Sequence, residues 1–232
     1  MRCVVSGIIY LDKHNMRVAV CFTGTVTSNK PEPHPDYNKN NEHYIRPCFE
    51  AYKRHFFDTN SEHELVVYMH FWADGADTAH VELLKSLYQP ARILTQPLEV
   101  TNRFVSKYMS LSRVVDLTEG DFDMYVFLRP DVMIMKNVSL SSYDPTIIYH
   151  NDGCPLEGGH FGDMYYAMNM KNAIHFAKLA GRIMHLKTEI WTEHKWRHEY
   201  IPVLESHLTM AARVCNDLRA GQAREIEVFR KI

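Results

Sequence analysis

No window of this chain reaches the roughly 18 consecutive apolar residues that a membrane span needs. Neither sign of charge dominates: 26 Lys and Arg against 28 Asp and Glu leave a formal net charge of −2. There is therefore no global electrostatic case for nucleic acid as a partner. No GxGxxG follows the first strand-like run, which removes the dinucleotide-binding fingerprint, and no GxxxxGK[ST] occurs, which removes the P-loop. The five cysteines (Cys3, Cys21, Cys48, Cys154, Cys215) are odd in number, widely spread and without CxxC spacing. Free thiols in a reducing compartment follow, rather than a disulfide framework. The opening Met1–Tyr10 is mildly apolar, but Asp12, Lys13 and His14 interrupt it too soon for a signal peptide. A cytoplasmic location is expected, and there the sequon Asn137-Val-Ser139 carries no meaning. His194 and His198 have the i, i+4 spacing of a zinc pair, but their neighbours are basic and no third ligand is indicated. A solvated helix face is the better reading.

What is present is an ordinary globular composition, with 46% hydrophobic residues in 232. That length is at the upper end for one compact domain, and no linker or internal repeat divides it. The most informative run is Met124-Tyr-Val-Phe-Leu-Arg-Pro-Asp-Val-Met133. Five apolar residues bounded by charge predict a strand buried on both faces, as in a parallel sheet. Pro130 cannot donate to a ladder, so pairing ends there. Arg129 and Asp131 are thereby placed at the carboxyl end of a central strand, the edge at which open α/β sheets bind ligands. A cation and a carboxylate together suit a phosphorylated ligand, with or without a metal ion.

Other segments fall around that strand. Arg17–Gly24 predicts a first strand and turn, and 25–41 a long polar loop. Tyr44–Phe57 has helical spacing, Glu64–Trp72 predicts a second strand, and Asp74–Asp77 a turn. Ala79–Tyr88 predicts a helix, Ala91–Leu94 a short strand, and Thr101–Leu117 a helix with Phe104, Tyr108, Leu111 and Val115 on its apolar face. Val132–Leu140 leads away from the edge. Thr146–Tyr149 and Met164–Asn169 are strand-like. His150–Gly162 is a glycine-containing loop, while Lys171–Leu186 and Pro202–Cys215 predict helices. Strands alternating with helices indicate one α/β domain with a mainly parallel sheet. Asp121-Phe-Asp123 is a literal DxD, but it precedes the central strand and reads as a turn at the opposite edge.

The order of Val18–Gly24, Val66–Trp72, Ser110 and Ser112, Asp123–Val132, Gly162–Met168 and Pro202–Glu205 resembles a group of bacterial and large-virus glycosyltransferases of the GT-A fold. The resemblance spans about residues 17–215, with a nucleotide-binding half at about 17–135 and an acceptor-side half at about 136–215. In that group an R-x-D segment stands in for the usual DxD motif. The resemblance implies a nucleoside-diphosphate sugar as donor, UDP or GDP being the usual carriers. It implies a glycan or glycoprotein acceptor and a divalent cation, Mn2+ or Mg2+, against the diphosphate. Asp131 matches the last aspartate of the motif and would be the metal ligand. Arg129 occupies the place of the first carboxylate, a departure that puts metal dependence in doubt. One carboxylate with waters and phosphate oxygens can still hold Mg2+, or the guanidinium can itself hold phosphate. The plain alternative is a salt bridge from Arg129 to a neighbouring acid, with Asp131 capping a turn. The resemblance implies that Thr23 and Gly24 meet the base or ribose, a simple strand-ending turn being the alternative. Arg103, Lys107 and Ser110 are placed to reach the donor phosphates, although a solvated face explains the charges equally well.

The loop 154–163 combines acids, a histidine and glycines. An inverting enzyme needs one carboxylate as general base for the acceptor hydroxyl. Asp163 fits the family position best, with Glu157 and Asp152 as rivals, and Glu205 either lines the acceptor pocket or stabilises a helix start. Trp72, Trp191 and Trp196 have the chemistry to stack on a sugar, although core packing is the commoner fate. Two other functions stay open: a non-catalytic nucleotide-sugar-binding module, and a metal-dependent hydrolase, which would gather several carboxylates and histidines around two metals.

Overall fold

The computed structural model describes residues 15–26, 42–73, 78–99, 103–144, 148–152, 161–185, 211–213 and 226–228. Its centre is a seven-stranded sheet with the order β3-β2-β1-β4-β7-β6-β8. The strands are β1 (Arg17–Thr25), β2 (Glu64–Trp72), β3 (Arg92–Gln96), β4 (Met124–Leu128), β6 (Ile148–Asp152), β7 (Phe161–Met168) and β8 (Ala211–Arg213). A separate two-stranded ladder joins β5 (Val132–Ile134) to β9 (Ile226–Val228). Four helices accompany them: α1 (Glu42–Tyr52), α2 (Thr78–Tyr88), α3 (Arg103–Asp116) and α4 (Met170–His185).

The sheet is mostly parallel, as the alternation of strands and helices predicts. β3, β2, β1 and β4 run the same way. β7 is the exception, antiparallel to both β4 and β6. All five residues of β4 are buried, and in β1 only Arg17, Gly24 and Thr25 are not. Such continuous apolar runs are required of strands covered on both faces.

Alternation within each strand separates two cores. Val18, Val20, Phe22, Met124, Val126 and Leu128 face α1 and α2, packing with Ile45, Tyr52, Leu84 and Tyr88. Ala19, Cys21, Tyr125 and Phe127 face α3 and α4, packing with Leu111, Val114, Ala173 and Phe176. On the first side Phe22 meets Tyr52 edge-on at 5.2 Å and Tyr88 at 4.6 Å between ring centroids. Each fully buried side chain of this size contributes about 1.5–3 kcal/mol through burial alone.

The chain builds outward from β1 to β2 and β3, with α1 and α2 on one face. It then returns to the other side of β1 for β4, with α3 on the opposite face. Connections of a single hand require this change of face. The reversal of strand order lies between β1 and β4, and open α/β sheets bind their ligands at such a point.

One expectation at the end of the chain is corrected. Ala211–Arg213 does not continue a helix from Pro202; it pairs in parallel with Ile148–His150 as the edge of the sheet. The helical spacing of Leu204, Leu208 and Ala211 was outweighed there by pairing with an open strand edge, a tertiary gain that propensity does not register. Ile226–Val228, in a charged and weakly patterned stretch, pairs antiparallel with Val132–Ile134. The residues 202–210 lie outside the described residues, as do the turn at 74–77 and the polar loop at 27–41.

Candidate donor site at the carboxyl edge of the sheet

The paired length of β1 differs on its two sides. Towards β4 the last partners are Phe22 and Leu128. Towards β2 pairing continues through Thr23–His70, Gly24–Phe71 and Thr25–Trp72. β1 therefore overhangs β4 by three residues, and the overhang carries Thr23 and Gly24. Thr23 is buried, while Gly24 is not. Gly24 has φ +138°, and a Cβ built on it would meet nothing within 4 Å. Its backbone thus adopts a conformation that disfavours other residues and borders open space, the situation in which glycine permits close ligand approach.

The turn after β4 closes the other side of the gap. Pro130 stops the ladder, as its missing N–H demands, and the Val132 amide donates to the Arg129 carbonyl at 3.3 Å. The Tyr52 hydroxyl, from α1, also donates to the Arg129 carbonyl at 2.8 Å. Arg129 turns back on Asp131: its Nε donates to Oδ1 at 2.8 Å and its Nη2 to Oδ2 at 2.5 Å. This is a bidentate, charge-assisted pair. The side chains are 28% and 26% exposed, so both remain within reach of a solute. Beneath them lies Cys48, whose thiol is pushed up to about 12 by burial first and by the Asp131 charge second. Burial likewise holds the Tyr52 phenol well above its usual range. Cys48 and Tyr52 are accordingly neutral, and Arg129 and Asp131 carry the charge of this edge.

A divalent cation would need several oxygen ligands. Each oxygen of Asp131 accepts one hydrogen bond from Arg129, and among the described residues no three His, Cys, Asp or Glu side chains gather to hold a metal ion. At this turn the described residues offer a cation the Asp131 carboxylate, with water and phosphate oxygens left to complete its shell.

The remaining expected residues are distributed as follows. Continuing the β4–β7 register two residues beyond Leu128–Tyr165 brings Asp163 level with Pro130, at the same edge as Arg129 and Asp131. Glu157 lies outside the described residues. Asp152 ends β6 opposite Phe161. Arg103 opens α3. Lys107 donates to the Tyr166 hydroxyl at 3.2 Å and lies over the Tyr108 and Tyr166 rings. Ser110 is fully buried between α3 and β2, 2.8 Å from His70 Nδ1 and 3.3 Å from the His70 carbonyl. It belongs to the interior rather than to the open edge. Trp72 is buried and donates from Nε1 to the Ser106 carbonyl at 2.9 Å, so it is core. Glu205, Trp191, Trp196, His194 and His198 lie outside the described residues.

The literal DxD is a turn. Asp123 Oδ2 accepts the Arg17 amide at 2.8 Å, the Asp121 carbonyl accepts Arg17 Nη1 at 3.2 Å, and Arg17 stacks on Phe122 at 4.5 Å. All of this is at the amino ends of β1 and β4, across the sheet from Gly24.

Sequence reasoning missed two features. Tyr52 falls within the helical spacing of Tyr44–Phe57, and nothing local points from position 52 to the carbonyl of position 129. His70 did carry a signal, because a polar residue inside a buried apolar run requires partners. Its partners are Ser110 and Gln96, whose Oε1 lies 3.1 Å from Nε2. With that oxygen as acceptor, Nε2 carries the proton and Nδ1 accepts from Ser110. Burial lowers the His70 pKa to about 4, the Gln96 hydrogen bond working against it and the Arg113 charge with it.

No protein-family model matches the chain, and no curated protein does. Solved structures do. The apo form of the glycosyltransferase GlyE of Streptococcus pneumoniae TIGR4 is similar with a TM-score of 0.50 at 12% identity, over 86% of this chain and 45% of that one. A second GlyE structure gives 0.49 at 13% identity, over 85% and 45%. A glycosyltransferase involved in glycosylation of the major capsid of PBCV-1 gives 0.47 at 13% identity, over 85% and 81%. This chain thus spans less than half the length of GlyE. The first likeness establishes that the α/β fold is one that a glycosyltransferase adopts.

Proposed function

We propose that the chain is a GT-A-type glycosyltransferase that moves a sugar from a nucleoside-diphosphate donor to a glycan or protein-linked acceptor. The observation that carries this reading is the gap left where β1 overhangs β4. It lies at the strand-order switch point, with Gly24 open on one side and the Arg129–Asp131 turn on the other. Base and ribose would lie along Thr23 and Gly24, and the diphosphate would reach Arg129, with Arg103 at the start of α3 as a further cation.

Departure of a nucleoside diphosphate builds negative charge on phosphate oxygens. A preformed cation at that point lowers the barrier because it favours the charge that develops in the transition state. Arg129 is suited to this: its planar fork matches two phosphate oxygens, and Tyr52 fixes its backbone. The β7 register brings Asp163 to the same edge. It would accept the proton of the acceptor hydroxyl in an inverting transfer, with Glu157 as the rival base. The hydrolase reading gains no support from the described residues, among which no three metal-ligating side chains gather. Buried free thiols at Cys21 and Cys48 are in keeping with a reducing compartment such as the cytoplasm. Among the described residues no helix is long and apolar enough to cross a membrane.

The test is release of nucleoside diphosphate from a panel of UDP-, GDP- and CDP-sugars, with and without a mixed oligosaccharide acceptor pool. Acceptor-stimulated release from one donor, abolished in Arg129→Gln, is expected. Binding of a sugar nucleotide without turnover under any acceptor condition would favour the non-catalytic binding module.

A further inference from the structure

The R-x-D segment presents a cation and its own counter-ion two residues apart, joined by two hydrogen bonds from Nε and Nη2 to the two carboxylate oxygens. We infer that Asp131 is an internal competitor for Arg129, which a nucleoside diphosphate must displace in order to bind, with no divalent cation needed for that step. The inference rests on the donor-site reading above and assigns Asp131 a role different from metal ligation.

The geometry supports exchange of partners. A carboxylate and a phosphate present the same pair of oxygens to a guanidinium, so one can replace the other without rebuilding the site. The pair is partly exposed on both sides, so an incoming anion reaches it without unfolding anything. The Arg129 backbone is held independently of Asp131, by the Tyr52 hydroxyl and the Val132 amide on its carbonyl. The guanidinium can therefore change partner while its Cα stays in place. Asp131, once released, faces solvent or the incoming donor and no longer neutralises the cation. A divalent ion on Asp131, by contrast, would lie beside the like charge of Arg129.

A cation-binding aspartate and a competing aspartate respond oppositely to mutation. If Asp131 held a metal, neutralising it would weaken nucleotide binding. If it competes, neutralising it strengthens binding, because the anion no longer has to break the pair and no longer meets a nearby negative charge. The gain expected from freeing a partly exposed ion pair is roughly two- to fivefold in affinity.

The experiment is isothermal titration of UDP, GDP and inorganic pyrophosphate into the full chain, first in EDTA and then in Mn2+. Wild type, Asp131→Asn, Asp131→Ala and Arg129→Gln are compared, each checked for a cooperative thermal transition. The expected result is binding of one nucleoside diphosphate by wild type in EDTA, tighter binding by both Asp131 variants, and loss of at least tenfold in Arg129→Gln. Binding only in Mn2+, abolished by both Asp131 variants, would overturn the inference while leaving the donor site intact. Binding in EDTA that neither Asp131 variant strengthens would also overturn it. No binding by any form in either buffer would overturn both this inference and the donor-site reading.

Discussion

Lowering the pH from 7 to 4 is expected to cost the fold about 3 kcal/mol through His70 alone. The imidazole is fully buried, with Nδ1 on Ser110, Nε2 on Gln96, and its ring edge-on to Trp72 at 4.8 Å. Desolvation lowers its pKa from 6.5 to about 4 in the folded chain. Between those two values the unfolded chain binds a proton that the folded chain refuses, so stability rises with pH across that window. The contribution is fully present above pH 6.5 and lost as the pH falls, about 2 kcal/mol by pH 5. Urea midpoints across this range measure the total, but carboxylates titrate there too. The informative quantity is the difference between wild type and His70→Gln, which cancels those shared titrations. That difference should shrink by about 3 kcal/mol from pH 7 to pH 4 in favour of the variant. A pH-independent difference would show that His70 is not held neutral by burial, and the account of the β2–α3 contact would fall.

Further outcomes follow from the same geometry. Asn60 is buried and makes three hydrogen bonds of 2.7 Å, to the carbonyls of Phe56 and Val138 and from the Leu140 amide. Asn60→Ala should cost roughly 2–4 kcal/mol in urea unfolding, because it leaves those buried backbone groups unpaired. Gly24→Ala should destabilise by about 1–3 kcal/mol from backbone strain at φ +138°, and should weaken nucleotide binding in calorimetry. Asp123→Asn should leave both nucleotide binding and turnover unchanged, since that carboxylate serves only the Arg17 turn. Loss of turnover in a stably folded Asp123→Asn chain would move the site to the other edge of the sheet.

The central strand was legible because its chemistry is local. Met124–Leu128 has no polar residue to place, and Pro130 ends it by lacking a donor, so both its burial and its boundary could be read from the residues. The turn at Asp121–Asp123 was legible for the same reason. Strand direction is not a local property, and nothing in Phe161–Met168 announces that it runs antiparallel to β4. The strands Ala211–Arg213 and Ile226–Val228 are too short to carry a period and exist because partner edges at Ile148–His150 and Val132–Ile134 are available. At the site, the sequence placed Arg129, Asp131, Thr23 and Gly24 on one edge. A salt bridge from Arg129 to a neighbouring acid was an open alternative in the residues, but that the acid is Asp131 depends on the geometry of the turn. Ser110 was misplaced outward because serine suits a solvated helix face as readily as a buried hydrogen bond, and only the position of His70 distinguishes the two.

The most direct measurement is a crystal structure of the chain with the nucleoside diphosphate that binds it most tightly. The account predicts the ribose beside Gly24 and the diphosphate on Arg129, at the carboxyl ends of β1 and β4. A nucleotide bound instead beside Asp121 and Asp123, or anywhere away from the β1–β4 gap, would contradict it.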